Sequence, residues 1–256
     1  MPRFVDLSAP LAPSPEGTLP FLRVEIEYHD HRAGAAQAQM LLNVPPRLLR
    51  RGEGWATETI TRLGTHDTTH VDAPYHYNSL IQGEPALTVD QLPLEWFFSD
   101  GVVLNMTHKH KGNPVTVEDV QEELARIGYT LKPLDIVLVH TGQDRFYNAP
   151  DYVFRGPGVT PEATVWLYEQ GVRVMGIDAW GWDEPLDLQA QKALEADRPG
   201  IFWAAHQVDL PYAQIERLVN LDQLPPFGFK VACFPLKVQG GSAGPARVVA
   251  IVDDEE

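Results

Sequence analysis

The sequence predicts a single α/β domain over residues 1–256, built as a mixed β-sheet flanked by helices. Three observations carry this expectation. Apolar, β-branched runs such as Asp135–His140 and Val172–Ile177 alternate with segments of helical period through the middle of the chain. Two further strand-like runs, Phe229–Phe234 and Arg247–Val252, follow one another near the C-terminus and add an antiparallel or mixed component. Finally, 256 residues with 44% hydrophobic and 21% charged side chains can bury one substantial core, two small domains being the alternative.

Taken in order, Phe4–Ser8 reads as a short strand, and the prolines between Ala9 and Pro15 break regular structure after it. Leu22–Tyr28 alternates apolar and polar residues like a half-buried strand. Residues 29–54 carry weak periodicity and read as an excursion or lid, after which Glu58–Leu63 is rich in β-branched residues. Val102–Met106 is a strand, Val117–Arg126 an amphipathic helix opened by Thr116, and Asp135–His140 a buried strand. The helix Pro161–Gln170 has Thr160 as N-cap, proline at its first position and Gly171 at its end, and it feeds the strand Val172–Ile177. Asp187–Ala196 is helical, and the tail Asp253–Glu256 is a solvated acidic end.

A net charge of −15 argues against a nucleic-acid partner, because neutralising phosphates takes clustered Lys and Arg. No stretch reaches the roughly 20 apolar residues that cross a bilayer, and the N-terminus has no long apolar segment, so a cytoplasmic enzyme is expected. The single cysteine, Cys233, lies in an apolar run and reads as a buried small hydrophobe.

The densest chemistry lies in His66-Asp67-Thr68-Thr69-His70-Val71-Asp72-Ala73-Pro74-Tyr75-His76, where His66, His70, Asp72 and His76 stand at relative positions 0, 4, 6 and 10. Imidazole nitrogen and carboxylate oxygen are ligands for Zn²⁺ or Mn²⁺, and grouping of this kind is the pattern that metal binding requires. A continuous strand would put these side chains on one face but hold His66 and His70 roughly 13 Å apart, at about 3.3 Å per residue. A helix would bring those two together yet swing Asp72 away, against the preferences of Thr68, Thr69, Val71 and Pro74. The sequence therefore predicts a turn or bulge near Asp67–Thr69 and then an extended piece in which His70 and Asp72 share a face. Pro74 bends the chain and presents His76 beside an ion rather than on it.

This segment resembles the cyclase-like metal-dependent hydrolases that include bacterial kynurenine formamidase and isatin hydrolase. Their pattern, H-x-G-T-H-x-D-x-P-x-H, is matched at His66, Thr69, His70, Asp72, Pro74 and His76, with Thr68 in place of the glycine. The resemblance extends through Asp135–Gly142, Gly176–Asp178 and Pro235–Arg247. It implies the fold of that family, and metal binding by His66, His70 and Asp72, with His76 in proton transfer. A formamidase-like site adds a second ion, bridged by Asp72 and held by His206 and Glu216, although these stand ten residues apart where the family usually has twelve. An isatin-hydrolase-like site holds one manganese ion and takes Gln207 among its ligands. Away from the resemblance, Glu216 reads as an ordinary helix-surface carboxylate beside Arg217.

The other candidates are His29 and His31 on the excursion, and His108 and His110 in a basic turn, all of which look solvated. Trp180 and Trp182 wall a pocket or fill the core, and Asp178 either orients a ligand histidine or caps a turn. The resulting expectation is a hydrolase of small amide bonds, acting on an N-formyl arylamine or a cyclic amide, with one or two divalent ions, Mn²⁺ or Zn²⁺, per chain. By the same resemblance it works as a homodimer or higher homo-oligomer. The alternatives are a metal-dependent lyase or isomerase on the same scaffold and a non-catalytic metal-binding protein.

Overall fold

A computed structural model describes residues 1–18 and 22–253, so the last three residues of the acidic tail lie outside the described chain. The strands are β1 (Arg3–Asp6), β2 (Glu25–His29), β3 (Thr57–Arg62), β4 (His70–Asp72), β5 (Leu80–Ile81), β6 (Glu84–Pro85) and β7 (Phe98–Asn105), followed by β8 (Ile136–His140), β9 (Val174–Ile177), β10 (Ala213–Glu216), β11 (Phe229–Ala232), β12 (Ala243–Pro245) and β13 (Val249–Val252). The helices are α1 (His31–Leu42), α2 (Pro74–Tyr77), α3 (Val117–Ile127), α4 (Pro161–Glu169) and α5 (Leu186–Ala196). The chain divides into two compact units, residues 1–10 with 68–256, and residues 11–67.

The first unit contains a nine-stranded mixed sheet in the order β1-β13-β11-β7-β8-β9-β10-β4-β12. Its centre, β7 to β10, is parallel, with α3, α4 and α5 in the successive connections, while the strands on either side are antiparallel. The four residues Ile136–Val139 are buried without alternation because both faces of the sheet are covered. Ile136 and Leu138 join one apolar cluster with Val174 and Ile215, and Val137 and Val139 join another with Met175, Val120, Leu124 and Leu167. The helices begin where their caps predict: the Thr116 side chain accepts from the Asp119 amide while Asp119 returns a bond to the Thr116 amide. Thr160 caps α4 in front of Pro161. Cys233 is buried, as expected, and burial pushes its thiol pKa up.

The 11–67 unit holds the two-stranded ribbon β2–β3 and helix α1. The excursion expected at 29–54 is thus more regular than its weak periodicity suggests. Asp30 accepts from the amides of Arg32 and Ala33 and starts α1, and Asn43 closes it in a left-handed conformation. His31 is exposed and bonds through Nδ1 to the Gly54 carbonyl, while His29 is half-buried at the end of β2. Among the described residues no helix is long and apolar enough to cross a membrane.

Candidate metal centre

Strand β4 is three residues long and fully buried, and it runs between β10 and β12. Its register pairs His70 with Glu216 on one side and Pro245 on the other, and Asp72 with Gln214 and Ala243. Two residues apart on one strand, His70 and Asp72 share a face, and the cross-strand pairing puts Glu216 beside them. The expected turn lies just upstream: residues 65 and 66 form a turn, 67–69 are bends, and the Asp67 amide donates to the Gly64 carbonyl. Thr68 is not among the residues with positive φ, so its side chain is accommodated without the left-handed backbone a glycine allows. Thr69 ties down the end of the turn, its hydroxyl donating to the Arg217 carbonyl at 2.6 Å and accepting from the Ala9 amide at 3.0 Å.

His70 is oriented by its other nitrogen. Nδ1 lies 2.6 Å from the Thr68 carbonyl, which can only accept, so Nδ1 carries the hydrogen and Nε2 presents its lone pair. That Nε2 is 3.1 Å from Asp72 Oδ1 and 3.7 Å from Glu216 Oε2, with all three side chains buried. Burial pulls the His70 pKa down, but the charge and hydrogen bond of Asp72, and then Glu216, outweigh it and raise the value. One imidazole and two carboxylates converge, with ligand atoms within 4.8 Å of one another. A donor set of this kind fits a divalent cation, which neutralises both carboxylates and accepts the lone pair together.

His206 sits next to this group, with Nε2 3.4 Å from Glu216 Oε1. Its Nδ1 is held by Asp183, whose carboxylate also accepts the amides of Ala205 and His206 at 2.9 Å each. Burial opposes protonation of His206, yet the Asp183 carboxylate and Glu216 raise its pKa to about 10. Glu216 accepts the Trp182 amide at 2.9 Å through Oε1. Glu216 is therefore a buried strand residue and not a helix-surface carboxylate; β10 is too short to show a period in the sequence. Ten residues after His206, Glu216 reaches it from the end of β10, which begins at Ala213.

Pro74 opens the short helix α2 and turns the chain off β4, leaving His76 half-buried. The His76 ring lies 5.1 Å from Trp203 and 5.9 Å from His206, and Trp203 stacks on His206 at 5.1 Å with planes 13° apart. His66 belongs to the other unit, half-buried in the turn that precedes Asp67. Gln207 is exposed and its amide approaches the Tyr77 carbonyl at 3.4 Å. Of the remaining candidates, Trp182 is core, and Asp178 caps a turn by accepting from the amides of Thr141 and Gly142 and the Thr141 hydroxyl. His108 and His110 are exposed. Sequence reasoning missed Asp183 and Trp203; the pairs Asp183-Glu184 and Phe202-Trp203 stand in irregular chain and carry no periodic signal.

A nine-stranded mixed sheet with helices between its parallel strands, carrying a buried His/Asp/Glu group on adjacent strands, defines an α/β protein equipped to hold a divalent cation. The chain belongs to the family described as "Putative cyclase", whose model matches residues 5–184. It is 29% identical over 190 residues to a kynurenine formamidase of Salinibacter ruber, covering 73% of this chain and 76% of the relative. It is 27% identical over 216 residues to an isatin hydrolase of Roseibium aggregatum, covering 74% and 73%. Among solved structures, isatin hydrolase A from Ralstonia solanacearum superposes with a TM-score of 0.74 at 26% identity, covering 98% of this chain and 92% of that one.

Proposed function

We propose that this chain is a metal-dependent hydrolase of small amide C–N bonds, acting on an N-formyl arylamine or a cyclic amide. The observation that carries the reading is the buried convergence of His70, Asp72 and Glu216, with His206 against Glu216 and His76 beside His206. The similarity to a kynurenine formamidase and an isatin hydrolase supports hydrolysis over a lyase, an isomerase or a non-catalytic metal-binding role.

In this proposal His66, His70 and Asp72 hold one ion, and Asp72, His206 and Glu216 hold a second, the ions being Zn²⁺ or Mn²⁺. The exposure of Gln207 favours Glu216 as the ligand after His206. A divalent ion bound there supplies Lewis acidity and makes water a nucleophile near neutral pH. The chain's own residues do the rest. The Thr68 carbonyl and Asp183 fix which nitrogen each of His70 and His206 presents. His76 removes the proton of the attacking water and returns it to the leaving nitrogen. Trp203, against both His76 and His206, narrows the space to a flat substrate. We propose further that residues 1–256 act as one hydrolase domain with 29–54 as its excursion, and that the protein is cytoplasmic. A homodimer or higher homo-oligomer is supported by the exposed Met40, Leu41 and Leu42 on α1.

The test is elemental analysis of protein purified without chelator, followed by assays on formanilide, N-formylkynurenine and isatin. One or two ions per chain and hydrolysis that a chelator abolishes and Zn²⁺ or Mn²⁺ restores are expected. Fully loaded protein that hydrolyses none of the three, or exchanges a carbon-bound proton in labelled water without hydrolysis, overturns the reading.

A further inference from the structure

Arg217 follows Glu216 at the end of β10 and is buried, with 7% of its surface exposed. Its backbone is pinned from both sides, the amide donating to the Ala179 carbonyl at 3.1 Å and the carbonyl accepting the Thr69 hydroxyl at 2.6 Å. Its φ of 61° is left-handed, a conformation that a long side chain adopts only when its surroundings hold it there. The guanidinium carbon sits 4.9 Å from the centroid of the Trp180 ring. Stacking covers one face of the planar group and leaves its N–H edge free for hydrogen bonds.

That edge is unmet. Nε is fully buried with no hydrogen-bond partner, and among the described residues no carboxylate lies within ion-pair distance of the guanidinium. An arginine remains charged in a protein, and a buried N–H of that group without a partner is costly. The neighbouring acids are all engaged elsewhere: Glu216 faces His70 and His206, Asp72 faces His70, and Asp178 caps the 141–142 turn. The cation is also near enough to His70 to oppose its protonation.

We infer that Arg217 is an anion-binding residue of the site, taking a carboxylate carried by the substrate or released by its hydrolysis. The planar fork matches a carboxylate through two parallel N–H bonds, and Trp180 keeps that fork in place. This deepens the proposed function, on which it rests: the preferred substrates are anionic small amides, or cyclic amides that open to a carboxylate, rather than neutral ones. A purely counter-charge role for Arg217, balancing Asp72 and Glu216 at a distance, would require no such preference.

The probe pair is benzoate and benzamide, equal in shape and different in charge, titrated into the metal-loaded protein and followed by calorimetry. Wild type should bind benzoate more tightly, and in Arg217→Gln the benzoate-to-benzamide affinity ratio should fall by about 10-fold or more, the size of a lost charge-assisted pair. Arg217→Lys keeps the charge and loses the fork, so its ratio should fall severalfold, and it decides the matter if the glutamine variant does not hold metal. A ratio unchanged in both variants means that the ion alone selects the anion and overturns the inference. So does a wild type with no preference. Because binding is read without turnover, failure of the hydrolase reading in the assays above is a separate result.

Discussion

In the sheet unit, His70 lies between Glu216 on one neighbouring strand and Pro245 on the other and is completely buried, whereas in the 11–67 unit every residue of β3 is exposed. The first arrangement fixes side chains through two strand partners each. The second relies on a two-stranded ribbon, a pattern that is marginal by itself, and on a few local contacts around α1. Those contacts are specific: Gly34 and Gly54 touch backbone to backbone, the Gly54 amide donates to the His31 carbonyl, and Trp55 Nε1 donates to Gln37. The difference separates two tasks. The geometry of His70, Asp72 and Glu216 has to be held to a fraction of an ångström, and these three sit where opening is most costly, while residues 11–67, His66 among them, bury few side chains and belong to the range of local stability from which moving segments are drawn.

The largest effect should come from the buried end of that comparison. Asp72→Ala removes the carboxylate that faces His70, and under the proposed function it strips metal and lowers turnover by more than about 100-fold, since even outer-shell partners of a ligand cost 10–100-fold. Metal content and hydrolysis of formanilide are the readouts, with circular dichroism confirming that the sheet remains. Retention of both metal and turnover would remove Asp72 from the site.

A smaller effect, confined to the other unit, is expected from Gly34→Ala. Alanine favours a helix interior over glycine by about 1 kcal/mol, but a Cβ at this position would stand 1.8 Å from the Trp55 carbonyl oxygen. Backbone cannot yield as a side-chain tip does, so the overpacking cost should reach the upper part of the ~1–3 kcal/mol range and outweigh the propensity gain. Hydrogen exchange should accelerate across residues 31–55 and remain unchanged in β8 and β9. Equal acceleration in both places would mean that the two units open together.

The same contrast explains what the sequence makes visible. Strands β8 and β9 are legible because burial on both faces demands a continuous apolar run, and α3 and α4 because Thr116 and Thr160 stand in front of helical periods. The turn before His70 and the shared face of His70 and Asp72 follow from ligand geometry alone. The pairing of His70 with Glu216 joins residues far apart in the chain, so it is set by strand order and leaves no local trace. Asp183, which orients His206, stands in irregular chain, and Arg217 departs from strand geometry where its φ turns positive. Helix α1 was hidden by Gly34 and by an alanine-rich face that gives little apolar period, although Asp30 before it is a cap signal.

The mildest test compares the caps of two helices, one from each unit. Thr116→Ala deletes a capping box on α3, whose Val120 and Leu124 are locked in the core, so it should cost about 1 kcal/mol of global stability, read from the denaturant midpoint. Asp30 caps α1 with a carboxylate, and its bond from the Ala33 amide leads the causes that hold its pKa below the usual range. A depressed folded-state value means the cap contributes above the unfolded pKa of about 4 and is lost as pH falls through the folded one. Protection factors in residues 31–42, taken against the unstructured exchange rate at each pH, should therefore fall on acidification below about pH 4, and in Asp30→Asn, which still accepts a hydrogen bond without the charge, this acid dependence should flatten. If acid instead loosens α3 and α1 equally in the Asn variant, the 11–67 unit does not open independently, and the distinction between a rigid site and a locally labile neighbour fails.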